Sequence, residues 1–402
     1  MRAANALKSG TTSSGTPARV LVLGERVEVA LTACRALGRA GYEVGVTGSR
    51  RIEETGTSRH VRRYHRVPLP DAGDRAWLRA IRAIVNTDAY DVVVATSDAS
   101  VAALIELDLK LPTCPRVEDG GLQLIDKAAL ADLCAVLDIP YPATFRARSA
   151  GDDRAAARRV RGPMIIKASI PAFVTGSGVT AIPGARLVHD ESEALKALEE
   201  IRHRGLDPVV QEHVRGEKLQ SMIIRRGATT SFGFAFRVRR EFPPARGAEA
   251  MLEGLSTATG IGAQMVRALE RLADAAGYDG LLSAEFLRDS ANGRLSVIDV
   301  NPRIGGALVF AELLGHRLTE RAVRDAMEVA PPPASDGSLG RRYHHLFREM
   351  RWLRAQPATP KGYFSTFGWR DVWDVPSVTD PLPGVLRLKR RLWSAARRGR
   401  HG

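Results

Sequence analysis

Residues 19–24 (RVLVLG) form an apolar run closed by glycine. Residues 27–40 carry apolar positions at helical spacing, and residues 42–46 return to a strand pattern. Strand, helix and strand in that order open a parallel α/β unit, because parallel neighbours need a crossover connection. The pattern continues with a helix expected near 74–85, a strand at 91–95 and a helix after Ser97. The first turn reads GERVEV. It lacks the GxGxxG spacing that lets backbone approach a pyrophosphate, so a dinucleotide site is disfavoured despite the topology.

A second block starts near Asp126. Its pattern predicts a helix over 127–137, a strand over 163–167 and a glycine loop at Thr175-Gly176-Ser177-Gly178. A strand over 179–182 and a helix over 191–202 follow. Strands are expected at 208–213, 219–224 and 231–238, the last two joined by a hairpin turn at 225–228. A long amphipathic helix covers 261–276. Strands at 281–287 and 295–300, joined by a polar turn at 289–293, should pair as a hairpin. The PPPASDG run at 331–337 reads as a linker. For 402 residues, about 150 residues per domain suggests two or three domains.

The longest apolar runs are short, well below the roughly 20 residues of a membrane span, so no transmembrane segment is expected. Residues 1–18 have no apolar stretch like that of a secretory signal and are expected to be a disordered leader. Three separated cysteines, Cys34, Cys114 and Cys134, fit neither a disulfide framework nor a zinc site, and a reducing cytoplasm is expected. The adjacent His344 and His345 are expected in solvent. The net charge is +14, and the segment from Arg341 onward holds 14 basic against four acidic residues. That concentration argues against a dedicated nucleic-acid binder. Residues 386–398 read as a basic amphipathic helix with a solvated end. Phe364, Phe367, Trp369 and Trp373 are expected to pack onto the body.

Four constellations carry chemistry. Only eight of the 59 basic residues are lysines. Lys167 ends an apolar strand, where a compact ammonium can serve phosphate from inside a cleft; the alternative is a strand-end lysine reaching water. Lys127 begins a helix, a weaker signal. Second, Gly176 and Gly178 permit close backbone approach to an anion. Third, Asp299 and Asn301 share a strand face by period-2 geometry, and hairpin pairing can bring Glu285 opposite them. Three oxygen donors not fully caged suit Mg²⁺ completed by phosphates and water. Fourth, the QEHVRGE run at 211–217 can hold an adenosine, with backbone near His213 and Val214 toward the base and Glu217 toward the ribose. Alone it is a charged turn.

Taken in order, Lys127, Lys167, TGSG, QEHVRGE, Glu285 and DVNPRIGG resemble the ATP-grasp superfamily. The block before them resembles the domain that precedes ATP-grasp in carbamoyl-phosphate-synthetase-like and biotin-carboxylase-like members. The resemblance covers residues 19–330. It implies an N-terminal open parallel α/β domain (19–125) followed by a two-lobed ATP-grasp domain with antiparallel sheets (126–330, lobes about 126–207 and 208–330). Residues 331–402 form a linker and basic extension.

It further implies that Lys127 and Lys167 contact ATP phosphates under a lid of Gly176, Ser177 and Gly178. Glu212, His213 and Val214 form the adenine hinge, and Glu217 meets the ribose. Glu285, Asp299 and Asn301 hold one or two Mg²⁺, for which Mn²⁺ can substitute. Arg303 steadies the transferred phosphoryl group or a substrate carboxylate. Arg240, in a segment at 237–247 that resembles a substrate-side loop, can serve phosphate or carboxylate. Asp299 stands where glutamate is usual, and Ala168 where proline is common.

The activity so implied is an ADP-forming carboxylate–amine ligase that passes through an acyl phosphate, with small-molecule carboxylate and amine substrates. The alternatives are a carboxylate–thiol ligase, a carboxyphosphate-using carboxylase, or a non-catalytic ATP-binding protein. Oligomeric state is not legible, and a homodimer is left open.

Overall fold

The computed structural model of the chain describes residues 16–71, 74–116, 119–160, 162–176, 178–181, 184–243, 248–333, 339–355, 363, 367–374 and 377–398. Most of the expected leader, 1–15, lies outside them. Ala18 is already buried, and its carbonyl accepts a hydrogen bond from Glu43 N (2.9 Å).

The first unit is built from β1 (Arg19–Leu23), α1 (Val27–Arg39), β2 (Glu43–Gly48), β3 (Arg63–Arg66), α2 (Ala76–Asp88), β4 (Val92–Ala95), α3 (Asp98–Leu107) and β5 (Thr113–Cys114). Its strands make an all-parallel sheet in the order β3-β2-β1-β4-β5. The central strands β1 and β4 are continuous apolar runs because helices cover both faces. Strand order reverses beside β1, which opens a crevice at the carboxyl ends of the strands.

The second unit follows with α4 (Asp119–Ile125), α5 (Lys127–Val136), β6 (Thr144–Arg146), α6 (Ala150–Arg159), β7 (Met164–Ala168), β8 (Ala172–Thr175), β9 (Gly178–Ala181), β10 (Arg186–Val188), α7 (Glu191–His203) and β11 (Pro208–Glu212). Here an antiparallel sheet runs β10-β7-β11-β6, and β8 and β9 form a separate hairpin. On β7, Met164, Ile166 and Ala168 are buried beneath Ala194, Leu198 and Ile201. The alternate residues Ile165 and Lys167 therefore take the opposite face.

The third unit comprises β12 (Gly216–Arg226), β13 (Thr229–Phe242), β14 (Ala248–Leu255), α8 (Gly260–Ala276), β15 (Gly280–Asp289), β16 (Leu295–Asn301), α9 (Leu308–Leu313), α10 (Leu318–Ala326), β17 (Arg342–His345), α11 (Leu346–Arg354), β18 (Val372–Asp374) and α12 (Leu382–Arg398). The sheet order is β16-β15-β12-β13-β14-β17-β18. It is covered on both faces, and β12 sorts its residues by period two. Leu219 and Ile223 pack with Met265 and Leu269 of α8, while Met222 and Ile224 pack with Phe310 of α9 and Leu37 of α1. The last cluster joins the first unit to the third.

Three expectations change. The segment at 237–247 is not a loop throughout: residues to Phe242 continue β13 past bulges at Val238 and Arg240. His344 and His345 are buried rather than solvated, because β17 pairs with β14 and β18 on either side. His344 stacks on Trp373 (centroids 4.3 Å) and bonds Asp371. Of the aromatics expected on the body, Phe367 and Trp373 pack there, Trp369 is exposed, and Phe364 lies outside the described residues. The linker residues 334–338 also lie outside them. Among the described residues, no helix is long and apolar enough to cross a membrane.

Candidate active site

The β15–β16 hairpin sets Glu285 directly opposite Asp299, and Asn301 follows two residues on. Asn301 Nδ2 donates to Asp299 Oδ2 (3.2 Å). The Glu285 carboxylate accepts no hydrogen bond among the described residues. Gln220 on β12 lies opposite Glu285 on its other side and donates to Glu249 Oε1 (3.1 Å). Lys218, Gln220, Glu241, Glu249 and Glu285 line a cavity of about 110 Å³ that reaches Ile298. Glu249 was missed in the sequence because β14 gives no alternating pattern of the usual kind: AEAMLEGL mixes small and charged residues.

Two lysines approach from the second unit. Lys167, on the face of β7 turned away from the α7 cluster, donates to Ile298 O (3.0 Å). Lys127 is only 4% exposed, which removes the surface-lysine alternative. Its Nζ stands 2.6 Å from Asp299 Oδ1 and donates to Ile125 O (3.1 Å). Asp126 holds this helix start in place. It caps Ala128 N (2.9 Å) and takes both Arg146 contacts (3.0 and 2.9 Å). Tyr141 Oη reaches Lys127 O and Ile298 O, each at 3.5 Å.

The charges are mutually dependent. Burial pushes the Lys167 ammonium down to about 8, against the pull of Asp299, with Lys127 adding repulsion. Burial, then Asp299 and Glu249, push the Glu285 carboxyl up to about 7. At Asp299 burial acts upward, but Lys127 and Lys167 outweigh it and hold the carboxyl below its ordinary value. One acid is thus compensated and its neighbour is not, an arrangement a divalent cation would relieve. The donors fit such an ion: two carboxylates and an amide oxygen, hard ligands that leave positions open. Among the described residues no group of three His, Cys, Asp or Glu side chains is placed to hold a metal ion.

Without nucleotide, the stability of the protein should depend on pH through Glu285. Glu285 titrates near 7 when folded against an ordinary 4.5, so the folded state binds the extra proton between these values. Its stabilising contribution is complete below the lower value and lost as pH rises through the upper one. The melting temperature of Glu285→Gln should gain on wild type from pH 4.5 to 7.5. Parallel curves would refute the assignment.

The remaining expected residues divide. The chain crosses from β11 to β12 through 213–215, carrying His213 and Val214 between the two sheets. Glu212 N donates to Ala143 O (2.8 Å), and Glu217 is paired with Arg237 (3.2 Å). Gly176 caps the β8–β9 hairpin and Gly178 opens its second strand; Ser177 lies outside the described residues. Ala172 and Val179 of this hairpin pack into the apolar cluster of α3. Arg303 is held by Asp98 at the start of α3, with Nε–Oδ1 2.5 Å and Nη2–Oδ2 3.1 Å. Arg240 makes a bidentate pair with Glu349 of α11 (3.0 Å twice) and lies near the rings of Trp352 and Tyr363. Its guanidinium is therefore engaged by the C-terminal extension.

No family profile matches this sequence, and neither does any curated protein. Solved structures do match in fold. An L-amino acid ligase from Bacillus licheniformis is 14% identical over 79% of this chain and 75% of its own, with a TM-score of 0.60. N5-carboxyaminoimidazole ribonucleotide synthetase from Thermus thermophilus is 17% identical over 81% of each chain, with a TM-score of 0.60. The biotin carboxylase domain of Hydrogenobacter thermophilus 2-oxoglutarate carboxylase, complexed with MgADP, ADP and bicarbonate, is 15% identical over 80% and 72%, with a TM-score of 0.59.

Proposed function

We propose that this chain, which has the ATP-grasp fold, is an ATP-dependent, ADP-forming ligase that phosphorylates a carboxylate and joins it to an amine. The observation that carries the reading is the convergence of Lys127, Lys167, Glu285, Asp299 and Asn301 where the two antiparallel sheets meet. Lys127 and Lys167 would hold the phosphates, with Gly176, Ser177 and Gly178 as the cover. Glu212, His213 and Val214 would line the adenine edge. Glu217 would meet the ribose after leaving Arg237. Glu285, Asp299 and Asn301 would hold one or two Mg²⁺, which when bound neutralise charge on the β- and γ-phosphates. Arg303 would steady the phosphoryl group or the substrate carboxylate. The bidentate pair with Glu349 leaves Arg240 an anchoring role instead.

The catalytic contribution of such a site is alignment and preorganised charge. Magnesium-dependent ADP release over a panel of carboxylic acids and amines tests the reading. No release above the basal level with any pair would leave only an ATP-binding protein. The carboxylase neighbour motivates a second reading, carboxyphosphate formation, and ADP release that requires bicarbonate would select it. Lys167→Ala should still fold, because the lysine makes one hydrogen bond, to a backbone carbonyl, and Lys127 stays 2.6 Å from Asp299 to compensate that acid. Its KM for ATP should rise, and an unchanged KM and kcat would remove the phosphate role.

A further inference from the structure

The start of α12 turns one side to the first unit and the other to solvent. At about 100° per residue, Pro383, Leu386, Arg387 and Arg390 share one side of the helix, and Leu382, Val385, Leu388 and Lys389 share the other. The first side is covered. Pro383 is buried, and Arg387 and Arg390 reach Glu54 (3.0 and 3.4 Å). Asp380 pins the approach to the helix by binding Arg35 Nε (2.8 Å), Ser58 Oγ (2.7 Å) and Arg59 N (2.9 Å).

The second side is apolar and open. Leu382, Val385 and Leu388 are each more than half exposed. So are Val378, on the approach, and Ile52, whose carbonyl accepts a hydrogen bond from Arg390 (2.5 Å). Single exposed aliphatic side chains are ordinary on a protein surface, but five gathered around the start of one helix form a patch.

The charge around this patch has one sign. Glu53 and Glu54, next to Ile52 in the sequence, are buried and paired with Arg390 and Arg387. Arg50, Arg51, Arg59 and Lys389 are exposed, and none of them has an acidic partner among the described residues. Residues 381–400 hold seven basic residues and no acidic one. An aliphatic strip rimmed by cations suits the surface of an anionic bilayer. The apolar side chains enter the boundary between headgroups and acyl chains, and the cations meet the phosphates. A second copy of the chain on this face would set basic residues against basic residues across a two-fold contact. Nucleic acid would answer the cations and leave the aliphatic side chains uncovered.

We propose that the solvent side of α12, with Val378 and Ile52, docks this protein peripherally on a membrane surface rich in anionic phospholipid. The helix lies in the plane of the interface. The contacts of Asp380, Arg387 and Arg390 with the first unit are kept, so docking needs no rearrangement of the fold. Attachment by this face is independent of the ligase reading above.

Sedimentation of the full chain with lipid vesicles is the test. The protein should pellet with vesicles of equal parts phosphatidylglycerol and phosphatidylcholine, and stay in solution with phosphatidylcholine alone. Combining Val385→Ser with Leu388→Ser should lower the partition coefficient by about 10–10²-fold, the worth of partly burying two aliphatic side chains. Lys389→Gln should lower it about fivefold, the worth of one cation near an anionic surface. Salt at about 1 M, which screens beyond roughly 3 Å, should weaken the binding of wild type. All these positions are exposed, so the variants should melt at the wild-type temperature. Val136→Ser, at an exposed site in the second unit, should bind as wild type does. Failure to pellet with the anionic vesicles would overturn the proposal, as would equal binding to phosphatidylcholine alone or undiminished binding by the double variant. Two further outcomes would reassign the face and overturn it as well. One is a lipid-free dimer that the double variant dissolves, which points to a second copy. The other is tighter binding to duplex DNA than to the anionic vesicles.

Discussion

Asp299→Asn and Glu285→Gln should each lower kcat by roughly 10²–10³-fold, about 2.7–4 kcal/mol of lost transition-state stabilisation. Each removes one negative charge at nearly constant volume, so packing survives. The two should nevertheless part company in the absence of nucleotide. Asp299 lies 2.6 Å from the buried Lys127 ammonium and near Lys167. Neutralising it leaves Lys127 uncompensated, and the apo melting temperature should fall. Glu285 faces Asp299 and Glu249 with no hydrogen-bond donor, so neutralising it relieves repulsion and the apo protein should melt at the same temperature or higher. In both, the stabilisation given by Mg-ATP should shrink, because a ligand that binds only the folded state acts by mass action. An unchanged Mg-ATP shift in both variants would return these acids to a structural role.

Arg240→Ala and Glu349→Ala should cost the largest stability of any single change considered, about 3–5 kcal/mol, the usual penalty for removing one partner of a buried ion pair. The Arg240 and Glu349 side chains are 11% and 2% exposed, and the guanidinium stacks with Trp352 (5.3 Å) and Tyr363 (5.2 Å). Either deletion leaves a charge in that aromatic setting. Denaturant unfolding measures the loss. Well below the transition, both variants should retain wild-type kcat. Glu349→Ala is the informative control, since it breaks the same pair without removing the arginine. A normal midpoint with collapsed turnover in Arg240→Ala alone would restore a substrate role for Arg240.

The two cases differ in how they could be read. Glu285 and Asp299 came from local pattern: a strand period of two and a short polar turn dictate that hairpin partners face each other, and the observed register pairs these two residues. Lys167 came from the same logic, an apolar strand with one cation. The partners of Arg240 did not. Glu349 is 109 residues away, and Arg303 and Asp98 are 205 apart. No periodicity links such positions.

What the amino-acid sequence determined by itself is the set of elements whose signal is local. These are the parallel strands with their crossover helices, the hairpin of acids, the lysine strand and the glycine turn, where each residue's neighbours are within a few positions. Tertiary closure decided which charges meet. Lys127 became buried because Asp126 is clamped by Arg146 and the helix start is pressed under Asp299. Glu249 joined the acid pair only through strand pairing across β12 and β13. The start of the basic α12 lies on the first unit through Arg387, Arg390 and the buried Asp380 just before it, which binds Arg35 345 residues away. Electrostatic partnership depends on distance in space and on local burial. Both exist only once the three sheets have packed.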